Sequence, residues 1–347
     1  MPVSLSPFGS LPDGREVQQV CLQNGNGTQV CVLTYGATIR SFVFDGVDVV
    51  LGFDTIEGYL SQTRSYLGAT VGRYANRICG GRFSLGGRTF DVGCNEPGRG
   101  HLHGGAEGFD RRLWDCEVIA RGEEPCVTFS LLSPDGDQGY PGTLRLRLSL
   151  LLTKADVLRL QYEAQSDQDT VLNVTQHSYF NLAGGGDVLD TELMIPAHAI
   201  VPVDERMIPT GELMPVRGTP FDFLSPKPIG RDIDADHPQL RLTHGYDHNF
   251  VLGQPGVRKH AVSAVSPRSG LRLDCFTDQP GLQLYTANGL NLPAGKGGVP
   301  LRPRTGFCLE TQHYPDSPNQ PAFPSTLLRA GETFRSVTEY RISRDAE

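Results

Sequence analysis

The feature that most constrains the fold is a set of runs in which apolar and polar residues alternate. Leucines occupy every second position from Leu144 to Leu150, and arginine or serine fills the positions between them. This period of two is typical of a β-strand that buries one face. The turn Lys154-Ala155-Asp156 then leads into a second such run, VLRLQYEAQS. The two runs together predict a β-hairpin.

Similar runs extend along the chain. EVQQVCLQ and TQVCVLTYGATIRSFVF flank a turn sequence, NGNG, and later strands are predicted at VDVVLGFD, AVSAVSPRSGLRLDCFTD and GLQLYTANGL. One short helix is predicted at TIEGYLSQ, where Ile56, Tyr59 and Leu60 share a face. Long amphipathic helices and strand–helix alternation are missing from the sequence, which argues against a doubly wound parallel sheet. We therefore predict an all-β fold, a large antiparallel β-sandwich with few short helices, in a single domain over residues 1–347.

The charge pattern narrows the classes of partner. The formal net charge is -8, and the sequence contains no run of lysine and arginine. Nucleic acid and anionic membrane surfaces are therefore not expected partners. The first residues, MPVSLSPFGSLPDGREV, have neither a basic start nor an apolar run, so no secretory signal or membrane span is predicted.

The eight cysteines do not form a recognisable metal or redox motif. None is spaced as C-x-x-C, and none lies near a cluster of histidines. Cys31, Cys275 and Cys308 lie in apolar, strand-like runs, where a free cysteine behaves as a small hydrophobic residue. We expect a reduced, cytoplasmic protein.

Five segments interrupt the strand pattern by combining glycine with ionisable or amide side chains. They are GATVGRYANRICGG, GHLHGGAEGFDRRLW, NVTQHSYFNLAGG, THGYDHNF and GFCLETQHYPDSPNQPAFPS. In the second segment, His101 and His103 would face the same side of a strand, as a pair of metal ligands can. No third ligand follows at a fixed spacing, so no metal is predicted. In the first, Arg77 borders the apolar Ile78 and would need several hydrogen-bond acceptors.

The remaining polar segments each allow a structural and a functional interpretation. His177 fits a buried histidine bonded to a carbonyl, or a residue that contacts a ligand. Asp247 fits an exposed carboxylate, or a buried one that requires donors. Glu310 ends an apolar strand, where desolvation would raise its pKa towards the range useful for a general base. The structural alternatives for Glu310 are a buried ion pair and a position on the rim of a cleft.

Taken together, the segments resemble the galactose mutarotase family, the aldose 1-epimerases. The matching motifs are GRYANRI, HLHGG with GFD and W after it, QHSYFNLAG, GYDHNF, GLQLYTAN and LETQHYPDSPNQPAFPS. The likeness runs from TYGATIRSF to GETFRSVTEYRI, nearly the whole chain. It implies a β-sandwich of the large supersandwich type with an open carbohydrate cleft on one sheet.

The resemblance also implies an activity and a set of site residues. The activity is the interconversion of the α and β anomers of free aldoses such as galactose and glucose. Glu310 matches the general base of the family and His177 the general acid. The residues that match sugar-binding positions are Asn76, Arg77, His103, Asp247 and Gln283. His198 stands where the family more often has aspartate, and the roles of His198 and His101 are left open.

The expected chemistry is proton transfer alone. A carboxylate and an imidazolium on opposite sides of the C1–O5 unit would open the hemiacetal ring, and the aldehyde would rotate and reclose. This needs no cofactor, metal or covalent bond to the protein. Asp247 or Arg77 would tune the pKa of His177, with opposite signs. Tyr246 and Phe180 either stack on the sugar or pack in the core.

Three alternatives stay open on the sequence alone. A hexose-phosphate 1-epimerase of the same fold would need cationic groups for a phosphate, and the segments offer Arg73 and Arg77, with Arg111 and Arg112 downstream. A non-catalytic sugar-binding module of the same fold would not need His177 and Glu310 together. A glycosidase would need two carboxylates, with Asp247 as the second. The sequence determines neither the preferred aldose nor whether the chain is a monomer or a weak homodimer.

Overall fold

The computed structural model describes residues 2–61, 64–120 and 122–345. In chain order the first strands are β1 (Val3–Ser10), β2 (Glu16–Gln23), β3 (Gln29–Leu33), β4 (Thr38–Phe44), β5 (Val47–Asp48), β6 (Thr70–Val71), β7 (Arg77–Cys79), β8 (Arg82–Leu85), β9 (Arg88–Asp91) and β10 (Gly100–Leu102). Helix α1 (Ile56–Ser61) lies between β5 and β6 and buries Ile56 and Tyr59, which confirms the predicted short helix.

The middle and end of the chain add longer strands. They are β11 (Asp115–Ala120), β12 (Cys126–Ser133), β13 (Leu144–Leu152), β14 (Val157–Ser166), β15 (Thr170–Val171), β16 (Thr175–Gln176), β17 (Tyr179–Phe180), β18 (Glu192–Met194), β19 (Ala199–Val201), β20 (Met214–Pro215), β21 (Lys227–Pro228), β22 (Asp247–Val251), β23 (Lys259–Ser266), β24 (Leu271–Thr277), β25 (Gly281–Tyr285), β26 (Phe307–Gln312), β27 (Leu327–Leu328) and β28 (Thr333–Arg344). Helix α2 (Pro238–Thr243) precedes β22, and short 3-10 helices span Phe109–Arg111, Asp137–Gly139, Ile229–Arg231, Lys296–Gly298 and Ser317–Asn319.

Two large antiparallel sheets dominate the structure. The first has nine strands in the order β11-β12-β13-β14-β28-β24-β23-β18-β21, and the second has six in the order β17-β26-β25-β22-β19-β20. A third sheet joins β1 to β5 in consecutive order. The pairs β7 with β10, β8 with β9, β6 with β16 and β15 with β27 form small two-stranded sheets. The prediction of an all-β antiparallel fold with few short helices is confirmed.

One apolar core lies between the two large sheets. Leu148 of β13 belongs to the same buried cluster as Leu282 and Leu284 of β25 and Leu309 of β26. Since side chains alternate along a strand, the residues between them, such as Gln283 and Glu310, point to the opposite face of the six-stranded sheet. This outer face carries the polar residues singled out in the sequence.

The prediction that Cys31 is a free thiol is wrong. Cys21 and Cys31 are joined by a disulfide and lie directly opposite each other in the β2–β3 ladder. The turn 24–27 sets this register, because it folds β3 back onto β2. The prediction overlooked the pairing since the residues are ten positions apart and match no short motif. Cys79, Cys94, Cys116, Cys126, Cys275 and Cys308 are free.

No helix within the described ranges is both long and apolar enough to cross a membrane.

We predict that the sandwich core depends on the alternating leucines of β13. Leu148 is completely buried, so Leu148→Ala should lower the free energy of unfolding by about 2–5 kcal/mol through lost burial and a residual cavity. Leu132 on the neighbouring β12 is 50% exposed, and Leu132→Ala should cost about 0.5 kcal/mol or less. Urea unfolding followed by circular dichroism measures both. Equal losses for the two variants would contradict the assignment of the core face.

Candidate active site

A polar cleft lies over the outer face of the six-stranded sheet. Its volume is about 640 Å³, and Glu310, His177, Asp247, Tyr179 and Tyr285 are among the residues that line it. These residues come from β26, β22 and β25 and from the segment 177–179, which lies at the edge of the sheet beside β26. The sheet therefore brings together residues that are more than a hundred positions apart in the chain.

Glu310 is held rigidly at the bottom of this cleft. It is 2% exposed, and it pairs in register with Gln283 on the adjacent strand, while its neighbour Leu309 packs into the core. Burial raises the pKa of Glu310 well above its ordinary value, and the charge of Asp247 adds to this effect. The guanidinium of Arg77 opposes the shift without cancelling it. Glu310 is therefore a carboxyl group that holds a proton unusually strongly.

His177 lies between β16 and β17, where its backbone exchanges hydrogen bonds with the segment 68–69. Its Nε2 is 3.7 Å from Oε1 of Glu310. The ring stacks on Tyr179 at 5.2 Å and meets the His103 ring edge-on at 5.2 Å. Burial lowers the pKa of His177 to about 4, partly offset by a backbone hydrogen bond. The expectation that Asp247 or Arg77 sets this pKa is wrong, because desolvation of the ring sets it.

The small β7–β10 sheet supplies three of the predicted binding residues. Asn76 and His103 both have a left-handed backbone, with φ of 62° and 51°, and the two residues face each other across the sheet end. The backbone N–H of Asn76 donates to Nδ1 of His103 at 3.1 Å, and the N–H of His103 donates to the carbonyl of Asn76. This reciprocal contact fixes the His103 ring, which is 6% exposed, against the cleft.

Arg77 next to Asn76 has the acceptors that its position demands. Its Nε and Nη2 donate to the two carboxylate oxygens of Glu96 at 2.7 and 3.2 Å. This bidentate pair fixes the direction of the guanidinium beside Glu310 and Asp247, with which it interacts electrostatically. Glu96 lies in the loop before β10 and was not identified from the sequence, because a glutamate in a glycine- and proline-rich loop is normally a solvated group.

Asp247 and Gln283 form a second polar pair in the site. Nε2 of Gln283 donates to Oδ1 of Asp247 at 2.6 Å. Burial raises the pKa of Asp247, while Arg77 and the Gln283 hydrogen bond oppose the rise. Within the described part of the chain, Oε1 of Gln283 and Oε2 of Glu310 are buried and have no hydrogen-bond partner. Buried acceptors without partners are costly, so the site is suited to a ligand that offers hydroxyl donors.

Asn173, a residue that the sequence motif contained but did not assign, ties the site segments together. Its Nδ2 donates to the carbonyls of Ala75 and His313, both at 3.2 Å, and its Oδ1 accepts from the N–H of His313 at 3.0 Å. Its backbone also bonds to Arg73 and Ala75. The Asn173 side chain therefore links the segment before Asn76 to the segment after Glu310. Asn173 itself lies on the segment that leads to His177.

Arg73, considered for a phosphate, and His101, whose role the sequence left open, lie outside the cleft. The guanidinium of Arg73 is buried on backbone carbonyls of Pro141, Gly142 and Ser133, so it is unavailable to a phosphate in the cleft. His101 hydrogen-bonds the Tyr140 hydroxyl at 2.7 Å and a backbone carbonyl, as a satisfied core histidine does. The expected H-x-H pair is not formed, because the strand ends at Leu102 and the left-handed backbone of His103 turns its ring away from His101.

The structure decides between the two interpretations that the sequence left open for Tyr246 and Phe180. Tyr246 is fully buried and its hydroxyl donates to the Pro220 carbonyl, while Phe180 packs in the core against Phe307 and Tyr340. Both therefore belong to the core. Tyr66, Tyr179 and Tyr285 line the cleft instead. Tyr179 and Tyr285 alternate with core residues in QHSYF and GLQLY. This alternation could have identified them as cleft residues from the sequence.

A metal ion is a poor fit to the site. His103, His177 and Glu310 each present one ligand atom, and these atoms lie within 4.8 Å of one another. However, the Arg77 guanidinium acts electrostatically on both His103 and Glu310 and would repel a cation there.

Comparisons with known proteins agree on one family. The family model described as aldose 1-epimerase matches residues 18–341. The chain is 42% identical to galactose mutarotase of Rattus norvegicus, over 98% of each chain, and 39% identical to aldose 1-epimerase of Escherichia coli K12, over 95% of this chain and 96% of that one. The crystal structure of galactose 1-epimerase from Lactobacillus acidophilus NCFM superposes with a TM-score of 0.88 at 30% identity, covering 99% of each chain.

We predict that Asn173→Ala moves the segment that carries His177 away from the segment that carries Glu310. The variant leaves buried backbone groups unpaired and should lower the free energy of unfolding by about 1–3 kcal/mol. Its crystal structure should show more than the present 3.7 Å between His177 Nε2 and Glu310 Oε1.

Asn24→Ala is the matched control. Asn24 is also buried and bridges two segments, through Thr153 and Asp156, but it lies in the β2–β3 turn and does not line the cleft. It should cost similar stability and leave the 3.7 Å distance unchanged. An unchanged distance in Asn173→Ala would contradict the role of Asn173.

Proposed function

The chain belongs to the aldose 1-epimerase family, and we propose that Glu310 and His177 carry out its reaction, the interconversion of the α and β anomers of a free aldose. The observation that carries this assignment is the distance of 3.7 Å between His177 Nε2 and Glu310 Oε1 at the bottom of the cleft. An acid and a base that meet in one buried site can act on one sugar.

The distance also indicates how the pair meets the substrate. Ring opening removes the proton from the O1 hydroxyl and adds one to the ring oxygen O5, and both oxygens are bonded to C1. A pyranose does not fit between groups only 3.7 Å apart, so both must approach from the same side. We therefore propose that both groups act from the same side, in place of the opposite sides of the C1–O5 unit expected from the sequence. Side by side, Glu310 can reach O1 while His177 reaches O5.

The two pKa shifts place one shared proton on the pair. Burial lowers the pKa of His177 to about 4, which favours the neutral ring in the free protein, and raises the pKa of Glu310 well above its ordinary value, which favours the protonated carboxyl group. A bound sugar reverses this preference. The O1 hydroxyl donates to Glu310 and favours the carboxylate, while O5 accepts from His177 and favours the imidazolium. The proton then moves from Glu310 to His177.

Catalysis follows as two matched proton transfers. Glu310 takes the proton from O1 as the imidazolium of His177 protonates O5, which breaks the C1–O5 bond and leaves the open aldehyde. Rotation about C1–C2 presents the other face of the aldehyde to O5. On closure, His177 takes the proton back from O5 and Glu310 returns its proton to O1, so the pair ends in its starting state.

The other predicted residues support hydroxyl binding. Asp247 accepts from a hydroxyl, and Gln283, whose Oε1 lacks a partner among the described residues, accepts from another. Asn76, Arg77 and His103 offer donors from the β7–β10 side of the cleft, with Arg77 oriented by Glu96. We further propose that Tyr66 or Tyr285 covers an apolar face of the sugar, since both line the cleft.

We also propose the setting in which the enzyme acts. A net charge of -8 without a basic run supports a free monosaccharide partner rather than nucleic acid or a membrane. The core shared by the two large sheets supports one domain over 1–347. We propose a monomer or weak homodimer in the cytoplasm.

We predict that Glu310→Gln and His177→Asn each lower kcat at least about 100-fold, because each removes one proton-transfer group. Galactose affinity, measured by calorimetry, should change only a few-fold, since the sugar-binding residues remain. Polarimetry on freshly dissolved α-anomer measures the rate.

The matched controls are Glu339→Gln and His260→Asn. Glu339 is a buried carboxylate paired with Arg258, and His260 is a half-buried histidine beside Asp274; both lie in the nine-stranded sheet, outside the cleft. Both controls should keep near-normal turnover. Nearly full activity in either cleft variant would contradict the role given to that residue.

We predict that a substrate panel separates the alternatives. The enzyme should accelerate mutarotation of α-glucose and α-galactose, which a non-catalytic binding module would not do. Hexose 6-phosphates should compete weakly, because Arg73 is buried on carbonyls, Arg77 is paired with Glu96 and Arg112 with Asp137, and Arg111, which lines the cleft, lies beside the carboxylate of Asp110. Aryl glycosides should release no aryl group. Strong inhibition by a hexose phosphate, or aryl release, would favour the corresponding alternative.

A further inference from the structure

One strand contacts both nitrogens of the His177 ring. Cys308 and Glu310 are two residues apart on β26, so their side chains point to the same face. The sulfur of Cys308 lies 3.5 Å from Nδ1 of His177, and Oε1 of Glu310 lies 3.7 Å from Nε2. Cys308 is completely buried beneath the cleft. The ring is therefore placed between a thiol and a carboxyl group.

We propose that Cys308 is a positioning residue: its sulfur accepts a hydrogen bond from Nδ1–H of His177 and so leaves Nε2 as the nitrogen that gains and loses the proton. The inference rests on the role proposed for His177 and adds a residue that acts through it. It concerns the tautomer of the ring, which the distance between His177 and Glu310 does not determine.

The argument begins with the number of protons on a neutral imidazole. A neutral ring carries its proton on one nitrogen and a lone pair on the other. To exchange a proton with Glu310 or with O5, Nε2 must carry the lone pair in the neutral state. The ring proton must then lie on Nδ1, where a buried N–H without an acceptor would be costly. Cys308 supplies a nearby acceptor at that nitrogen.

A thiol suits this position because it orients the ring without charge. Burial raises the pKa of Cys308 well above its ordinary value, with Glu310 and Asp247 adding to the effect, so the group stays a neutral thiol. A carboxylate at this position would stabilise the imidazolium and weaken it as an acid. A neutral, weak acceptor holds Nδ1–H while His177, once protonated, remains a strong proton donor to O5.

Nitrogen-15 NMR of the full chain with labelled histidine tests the tautomer directly, and His177→Asn identifies the His177 signals. At pH 7 the wild-type ring should show Nδ1–H and an unprotonated Nε2. In Cys308→Ala the ring should shift towards the Nε2–H form, and Cys308→Ser should restore the wild-type pattern. An Nε2–H ring in the wild type, or no change in Cys308→Ala, would overturn the proposal.

Kinetics provide the second readout. Cys308→Ala should lower kcat by about tenfold, part of the 10²–10⁴ that a positioned proton-transfer group contributes, with KM within about twofold. Cys308→Ser should recover most of the loss. Cys275→Ala, which removes another fully buried thiol from β24 in the other sheet, should keep wild-type turnover. Equal losses in the two alanine variants would overturn the proposal by indicating a packing effect.

The two proposals fail in different ways. The tautomer measured by NMR does not depend on turnover, so an active His177→Asn variant would sink the proposed function and leave the tautomer result standing. If His177→Asn loses activity as predicted but the wild-type ring carries its proton on Nε2, only the role of Cys308 is contradicted.

Discussion

The site depends on the burial of one carboxyl group, that of Glu310, beside one imidazole ring, that of His177, away from water. Glu310 and His177 are both almost completely buried, and desolvation is the largest cause of both pKa shifts. Because burial disfavours each charged form, it raises one pKa and lowers the other. Both shifts favour a protonated carboxyl group beside a neutral ring in the free protein, and we propose that a bound substrate moves the proton to the ring.

The six-stranded β-sheet holds these buried polar groups in place. Alternation along β22, β25 and β26 gives one face of each strand to the apolar core and the other to the cleft, so the core holds the polar face rigidly. Hydrogen bonds from Asn173 and the pair of Asn76 with His103 join the loops to this frame. Two buried acceptors without partners among the described residues lower the stability of the fold. They are Oε1 of Gln283 and Oε2 of Glu310. That cost falls where a sugar hydroxyl would offset it.

The sequence predicted the features that depend on residues close together in the chain, namely strands and one short helix. The strand runs of β2 and β14 match the alternation in EVQQVCLQ and VLRLQYEAQS, and α1 lies where Ile56 and Tyr59 share a face. The candidate site residues came from a family resemblance, because no residue reveals its partner across a hundred positions. The errors have the same origin. Arg73 is buried on distant carbonyls, and the Cys21–Cys31 bond depends on a hairpin register.

The central claim is that Glu310 and His177 act side by side on adjacent oxygens of one sugar. A crystal structure of Glu310→Gln with galactose bound tests it most directly. The account predicts that residue 310 lies within hydrogen-bond reach of O1 and that Nε2 of His177 lies within reach of O5, both on the same side of the ring. A sugar bound elsewhere in the cleft, or one with O1 and O5 turned away from both side chains, would contradict it.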